Sequence, residues 1–61
     1  MKFSELIRLL KRNGWYEVRQ SGSHIIMQHP MTNEQLTVPN HGSKEIGKGL
    51  QQKIMKQAGL K

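Results

Sequence analysis

The side chain best suited to chemistry in this sequence is the imidazole of His24. It directly follows Gly22 and Ser23 and opens the short apolar run Ile25–Met27. Histidine is the one side chain whose ordinary pKa, about 6.5, lets it accept or donate a proton near neutral pH. The residue order therefore predicts an imidazole placed just after a tight turn, where it could act as a general acid or base.

The charge of the chain indicates which substrates such a group could meet. Ten Lys and Arg residues stand against four Glu and no Asp, so the 61 residues carry a formal net charge of +6. A surplus of positive charge attracts polyanions, and the candidate partners are nucleic acid, an anionic membrane surface and an acidic protein. A small basic protein can also carry such a charge for solubility alone, and composition leaves this alternative open.

RNA is a polyanion that a histidine can help to cleave, because its 2′-hydroxyl is a built-in nucleophile. Cleavage needs a base, an acid, and cations or amides for the charge that grows on the phosphate. His24 could be the base or the acid, Gly22 leaves room for a backbone to approach, and Ser23 adds a hydroxyl and an amide. Arg19 adds positive charge nearby. Alternatively the stretch is an ordinary hairpin turn followed by a half-exposed strand residue, and spacing alone favours that structural interpretation.

The other two histidines fit structural roles better. His29 precedes Pro30 at a predicted strand end and points away from His24, so the two cannot easily share a metal ion. His41 could be a second acid, a phosphate ligand or a loop residue, and the loop role is favoured. Since the chain also lacks cysteine, the sequence predicts no metal site and no cofactor.

The start of the second predicted helix is a candidate anion site. Ser43 can cap this helix, and the free amides of residues 43–46 would carry partial positive charge. Lys44 and Lys48 stand one helical turn apart beside these amides. A solvated helix face explains the same lysines equally well. Two further lysines continue the charge along the helix: Lys53 and Lys56.

Hydrophobic periodicity predicts a helix at each end of the chain. Ser4 is the expected N-cap of the first helix, and Gly14 ends it. Its apolar face comprises Phe3, Leu6, Ile7 and Leu10. The second helix would close at Gly59, and its apolar stripe comprises Ile46, Leu50, Ile54 and Ala58.

Three strands are predicted between the helices: Trp15–Arg19, His24–His29 and Gln35–Val38. Alternation places one set of side chains on a covered face: Tyr16, Val18, Ile25, Met27, Leu36 and Val38. The opposite, solvated face would carry Trp15, Glu17, Arg19, His24, Ile26, Gln28, Gln35 and Thr37. Trp15 and Tyr16 could stack on bases, but a core position is favoured for both, and Tyr16 is expected to be the more deeply buried.

These elements predict a single α+β domain over residues 1–61, in the order α-β-β-β-α. Its two helices would pack on one face of a three-stranded antiparallel sheet. A chain of this length buries only about 60% of the surface that its unfolded form exposes, so a partner chain could add to its stability. Nothing in the sequence predicts a signal peptide or a membrane span, and a cytoplasmic location is expected.

Beyond these local patterns, the whole chain resembles the HicA family of toxins from bacterial toxin–antitoxin systems. The resemblance runs from the opening Lys-Phe-Ser-Glu-Leu-Ile to the closing Lys-Gln-Ala-Gly-Leu, and its most specific stretches are Gly14–His24, Val38–His41, Lys44–Ile46 and Ile54–Leu60. The chain differs from commoner members at residues 49–52, where a threonine and an arginine are expected.

The resemblance implies a double-stranded-RNA-binding-domain-like fold and the ribosome-independent cleavage of mRNA by the toxin of a type II system, which stops growth. It implies that the histidine of the Gly-Ser-His motif, His24, is catalytic. It also implies a HicB-type antitoxin that binds the toxin and covers this histidine. We expect cleavage that needs no metal ion. The residues expected to bind RNA are Arg19, Gly22, Ser23, Lys44 and Lys48.

Two alternatives from other classes stay open. A non-catalytic RNA-binding module of the same fold would hold duplex RNA through shape and backbone contacts, for which a charge of +6 suffices. A third interpretation treats the chain mainly as half of a protein complex. In that case an acidic antitoxin surface would bury Trp15, Ile26 or neighbours of His24.

Overall fold

The computed structural model describes residues 1–60 and has the predicted order of elements. These elements are α1 Phe3–Arg12, β1 Tyr16–Ser21, β2 His24–Gln28, β3 Gln35–Pro39 and α2 Lys48–Gln57. The strands form one antiparallel sheet in the order β1-β2-β3, so β2 is the central strand. The predicted α+β class, with two helices and a three-stranded antiparallel sheet, is confirmed. None of the helices in this part of the chain is long and apolar enough to cross a membrane.

The core lies between the helices and one face of the sheet. Its members are all apolar and at most 7% exposed: Phe3, Leu6, Ile7, Leu10, Trp15, Ile25, Met27, Leu36, Val38, Ile46 and Ile54. The covered face predicted for β2 and β3 is confirmed, because all four of its residues belong to this core. Burying one such side chain contributes about 1.5–3 kcal/mol, and this burial holds the helices to a single face of the sheet.

β1 departs from its prediction in both length and side-chain direction. Tyr16 and Val18 are 45% and 47% exposed. Trp15 is only 4% exposed, which confirms the core position favoured for it but contradicts the open face that alternation assigned to it. Trp15 precedes the strand, which starts one residue later than predicted and continues to Ser21. Tyr16 pairs with Gln28 on the helix-free face, and a bulge at Val18 then shifts the register. The predicted burial of Tyr16 and Val18 is therefore wrong.

α2 begins four residues later than predicted, with Gly47 rather than Ser43 as its N-cap. The preceding residues 41–46 are not helical and run beside the start of the chain, where the Ile46 N–H donates to the Met1 carbonyl at 3.0 Å. Because this segment finds backbone partners outside α2, the helix starts only after it. The helix start predicted at residues 43–46 is therefore wrong, and these residues do not supply the free helix-end amides on which the predicted anion site depended.

The start of α1 also differs from its prediction. The helix begins at Phe3, so Lys2 rather than Ser4 occupies the N-cap position. The Glu5 carboxylate accepts a hydrogen bond from the Lys2 N–H at 2.9 Å, near the helix end where negative charge is favourable. The predicted end of α1 is confirmed, since Gly14 follows the helix with a φ of 97°.

Candidate active site at the start of the central strand

A two-residue turn sets the position at which β2 begins. Ser21 pairs with His24 across the hairpin, which leaves Gly22 and Ser23 as the turn. Gly22 has a φ of 59° and Ser23 has no positive φ, the pattern of a type II′ turn, which favours glycine at its first central position. The Gln20 side-chain amide donates to the Gly22 carbonyl at 3.1 Å. The stretch is thus a hairpin turn, and this turn places His24 at the first residue of the central strand.

The imidazole of His24 lies exposed on the helix-free face, as predicted. Alternation along β2 puts His24 and Ile26 on the face opposite the buried Ile25. Within residues 1–60, no side-chain hydrogen bond engages the ring of His24. The backbone beside it is held, because the Asn40 N–H donates to the Ser23 carbonyl at 2.6 Å. A fixed backbone therefore carries a ring whose nitrogens are open to a ligand.

The sheet register brings Arg19 next to His24. Arg19 pairs with Ile26 across β1 and β2, and Ile26 lies two residues from His24 on the same face. Diagonal neighbours on one face of an antiparallel pair are about 7–8 Å apart, within reach of a long side chain. The guanidinium of Arg19 can therefore approach an anion bound at His24. On the other side, Thr37 pairs with Ile26 and Pro39 with His24.

A shallow depression of about 350 Å³ opens beside His24, between β3 and α2. This volume lies toward the lower end of the range for small-molecule sites. The depression is lined by His24, Gln35, Leu36, Thr37, Pro39, Leu50, Lys53, Ile54 and Gln57. It gives His24 a recess in which one unit of a larger substrate could sit.

The lysine of this depression is Lys53, which the sequence singled out only as part of a charged helix. Lys44 and Lys48, the lysines favoured from the sequence, do not line it. Lys44 lies in the loop before α2 and Lys48 is the first residue of the helix. A sequence signal for Lys53 exists, since Leu50, Lys53, Ile54 and Gln57 stand at i, i+3, i+4 and i+7 on one helical face.

The other two histidines lie outside this depression. His29 Nε2 is 2.9 Å from the Asn13 carbonyl, and the Met31 N–H donates to His29 Nδ1 at 3.1 Å. With Nδ1 as an acceptor, Nε2 is the nitrogen placed to donate to the Asn13 carbonyl. The ring also packs edge-on against Trp15 with centroids 5.3 Å apart. His41 lies exposed in the loop before α2 and packs edge-on against an aromatic ring of α1. Both positions agree with the structural interpretations made from the sequence.

Across residues 1–60, no group of three or more His, Cys, Asp or Glu side chains is placed so that it could hold a metal ion. Two basic residues are placed by the fold close to His24: Arg19 is its diagonal neighbour on the sheet, and Lys53 of α2 lines the same depression. The arrangement offers one imidazole for proton transfer and cations for an anionic substrate.

Comparison with known proteins places the chain in a family. Residues 3–60 match the family model described as the HicA toxin of bacterial toxin–antitoxin systems. A protein of Pseudomonas fluorescens named "Probable mRNA interferase HicA" is 41% identical over 61 residues, which cover 100% of this chain and 98% of the relative. A protein of Photorhabdus laumondii subsp. laumondii named "Probable mRNA interferase HicA 2" is 39% identical over 61 residues, which cover 100% of this chain and 100% of the relative. The chain therefore belongs to the HicA toxin family.

Proposed function

We propose that this protein is the toxin of a type II toxin–antitoxin system and acts as a ribosome-independent endoribonuclease on mRNA. The observation that carries the proposal is the exposed imidazole of His24, held at the start of the central strand and free of side-chain hydrogen bonds within residues 1–60. Family membership and the mRNA interferase names of the relatives support the substrate class. The net charge of +6 supports a polyanionic substrate.

The proposed reaction is an internal transfer within one phosphodiester. The RNA 2′-oxygen attacks the adjacent phosphorus, and the bond from phosphorus to the 5′-oxygen breaks. One proton leaves the 2′-hydroxyl and one is added to the 5′-oxygen, so the products are a 2′,3′-cyclic phosphate and a 5′-hydroxyl. His24 transfers one of these protons, as general base toward the 2′-hydroxyl or as general acid toward the 5′-oxygen. This proton transfer requires no metal ion.

The residues around His24 are proposed to hold the RNA backbone. Arg19, its diagonal neighbour on the sheet, would neutralise a phosphate at the reacting position. Gly22 and Ser23 offer backbone N–H groups, and Ser23 a hydroxyl, at the turn that leads into His24. Two lysines outside the depression would contact phosphates farther along the strand: Lys44 and Lys48.

A HicB-type antitoxin is proposed to cover His24 with an acidic surface. Family membership supports the existence of such a partner, and the charge of +6 supports its acidic character. The helix-free face also offers apolar surface beside the site, since Tyr16 is 45% exposed and Ile26 is only partly buried. Trp15 cannot be part of that contact surface, because the core of this chain already buries it.

Incubation of RNA with the purified toxin in EDTA tests the proposed reaction. We expect fragments with 2′,3′-cyclic phosphate ends from the natural chain and none from His24→Ala, with both proteins giving the same circular dichroism spectrum. A folded His24→Ala protein that cleaves at a rate close to that of the natural chain would contradict the assignment. Intact RNA retained with steep salt dependence would instead identify a non-catalytic RNA-binding module.

A substrate with sulfur in place of the bridging 5′-oxygen separates the two roles of His24. Sulfur leaves without protonation, so this substrate removes the need for a general acid but not for a general base. If His24 is the acid, His24→Ala should cleave the sulfur substrate at close to the rate of the natural chain. If His24 is the base, the variant should stay inactive on both substrates.

A further inference from the structure

The depression beside His24 contains two ionisable side chains among the described residues that line it, His24 and Lys53. Its other lining residues are apolar or carry neutral amide or hydroxyl groups: Gln35, Leu36, Thr37, Pro39, Leu50, Ile54 and Gln57. An anion held in this recess would therefore meet Lys53 as its cationic partner on the α2 side. Hydrogen-bond donors for the rest of a nucleotide are present in the amides and the hydroxyl.

The orientation of α2 aims Lys53 at this recess. The next residue along the helix, Ile54, is 3% exposed and belongs to the core, which fixes the rotation of α2 against the sheet. Leu50 and Gln57, one turn before and one turn after Lys53, line the same depression. Lys53 thus lies on the helix edge that borders β3, between the buried stripe and solvent.

The ammonium of Lys53 is not engaged elsewhere in the described chain. The two ion pairs within residues 1–60 join Glu45 to the amino terminus and Glu17 to Lys11. Lys53 is itself exposed, so its flexible side chain can extend over the recess. Lys53 therefore borders the depression as an unpaired cation, and the exposed His24 lines the same depression. An anionic ligand in the depression could bind to both.

We infer that Lys53 is a phosphate-binding residue of the cleavage reaction and acts from α2 across the depression from His24. The inference rests on the proposed function. In the transition state the reacting phosphate carries more negative charge than in the ground state, and a cation placed there stabilises this added charge. An ammonium is a compact point charge suited to a single phosphate oxygen. Arg19, which does not line the depression, would approach the same phosphate from the helix-free face of the sheet.

Steady-state cleavage by Lys53→Met tests this role, because Met keeps the length of the side chain and removes its charge. We expect kcat to fall about 10- to 100-fold with little change in KM, and Lys53→Arg to recover part of the loss. The matched control is Lys56→Met, which is on the same helix but lines a different depression with Trp15 and His29. This control should keep kcat within about threefold of the natural chain.

A second measurement does not depend on turnover. Inorganic phosphate is titrated against the His24 ring resonances in the natural chain, in Lys53→Met and in Lys56→Met. Inorganic phosphate near neutral pH is partly a dianion, so it carries more charge than a phosphodiester and resembles the reacting phosphate in the transition state. We expect Lys53→Met alone to weaken its binding at His24, by about tenfold. Unchanged kcat and unchanged phosphate affinity in Lys53→Met would overturn the inference, and if His24→Ala is still inactive the proposed function stands. Absence of cleavage by the natural chain would instead overturn the proposed function.

Discussion

The two ends of the central strand carry the same side chain in opposite circumstances. At the start of β2, His24 is exposed and its ring accepts no hydrogen bond from the rest of residues 1–60. Just after the end of β2, His29 has both ring nitrogens engaged and packs against Trp15. The nitrogens of the His29 ring are thus occupied by the protein itself, whereas those of the His24 ring are available to a substrate.

Each histidine has a glycine close to it in space or in sequence, and these two glycines explain part of the difference. Gly22 and Gly14 both have positive φ, at 59° and 97°. A Cβ added at Gly22 would meet nothing within 4 Å, whereas one added at Gly14 would lie 2.7 Å from His29 Nε2. The turn before His24 is thus open and the turn near His29 is closed over the ring. The start of β2 therefore presents a histidine that is open to a substrate, whereas the residues after its end use a histidine to hold the fold together.

The largest expected effect is on RNA cleavage, where the loss of kcat/KM should differ between variants of His24 and His29. His24→Ala should lower kcat/KM by about 10²–10⁴-fold, the usual contribution of a general acid or base. His29→Ala should leave kcat/KM within about threefold when rates are expressed per folded molecule, since His29 lines no part of the depression beside His24. Rates for both variants are measured with one RNA substrate. Equal losses of activity in the two variants would remove the proposed distinction.

The next largest effect is on stability, where the free energy of unfolding should fall more for a variant of Gly14 than for one of Gly22. Gly14→Ala should lower the free energy of unfolding by about 3 kcal/mol, because left-handed strain of about 1–2 kcal/mol adds to the clash with the His29 ring. Gly22→Ala should lower it by about 1–2 kcal/mol from strain alone. Urea denaturation followed by Trp15 fluorescence measures both values. The two costs should converge in a His29→Ala background, and a persistent difference there would contradict the role of the clash.

A smaller effect is expected from removing the histidine rings themselves. His29→Ala should lower the free energy of unfolding by about 2 kcal/mol, because two hydrogen bonds and an aromatic contact are lost. His24→Ala should change it by less than about 0.5 kcal/mol, as is usual for exposed residues without partners. Thermal and urea denaturation of the two variants provide the comparison. A destabilised His24→Ala protein would show that His24 has a structural role as well.

The smallest expected effect concerns an ion pair near the His29 end of β2. Lys11 Nζ lies 2.7 Å from Glu17 Oε2, and the two side chains are 51% and 39% exposed. Because solvent screens so exposed a pair, Glu17→Gln should lower the free energy of unfolding by less than about 1 kcal/mol at low salt. The difference should disappear near 1 M NaCl, where screening is strongest. A larger, salt-independent loss would mean that Glu17 stabilises this end by another route.

Patterns between near neighbours in sequence predicted much of the fold. The apolar spacing of α1 and the alternation in β2 and β3 identified their buried residues, because helix and strand periods fix which face each side chain takes. The same reasoning failed in β1, where alternation cannot reveal that the strand starts at Tyr16 and bulges at Val18. It also failed at the start of α2, because Ile46 bonds to Met1 at the other end of the chain.

The candidate site divides in the same way. Sequence alone determined that His24 follows a glycine-containing turn and opens a strand, since turn type and strand alternation are local properties of the backbone. It also determined the excess of positive charge. Only the tertiary structure decided that Lys53 and His24 line one depression and that the His29 ring lies against Gly14. Those outcomes depend on how α2 and α1 pack against the sheet, and such contacts join residues far apart in sequence.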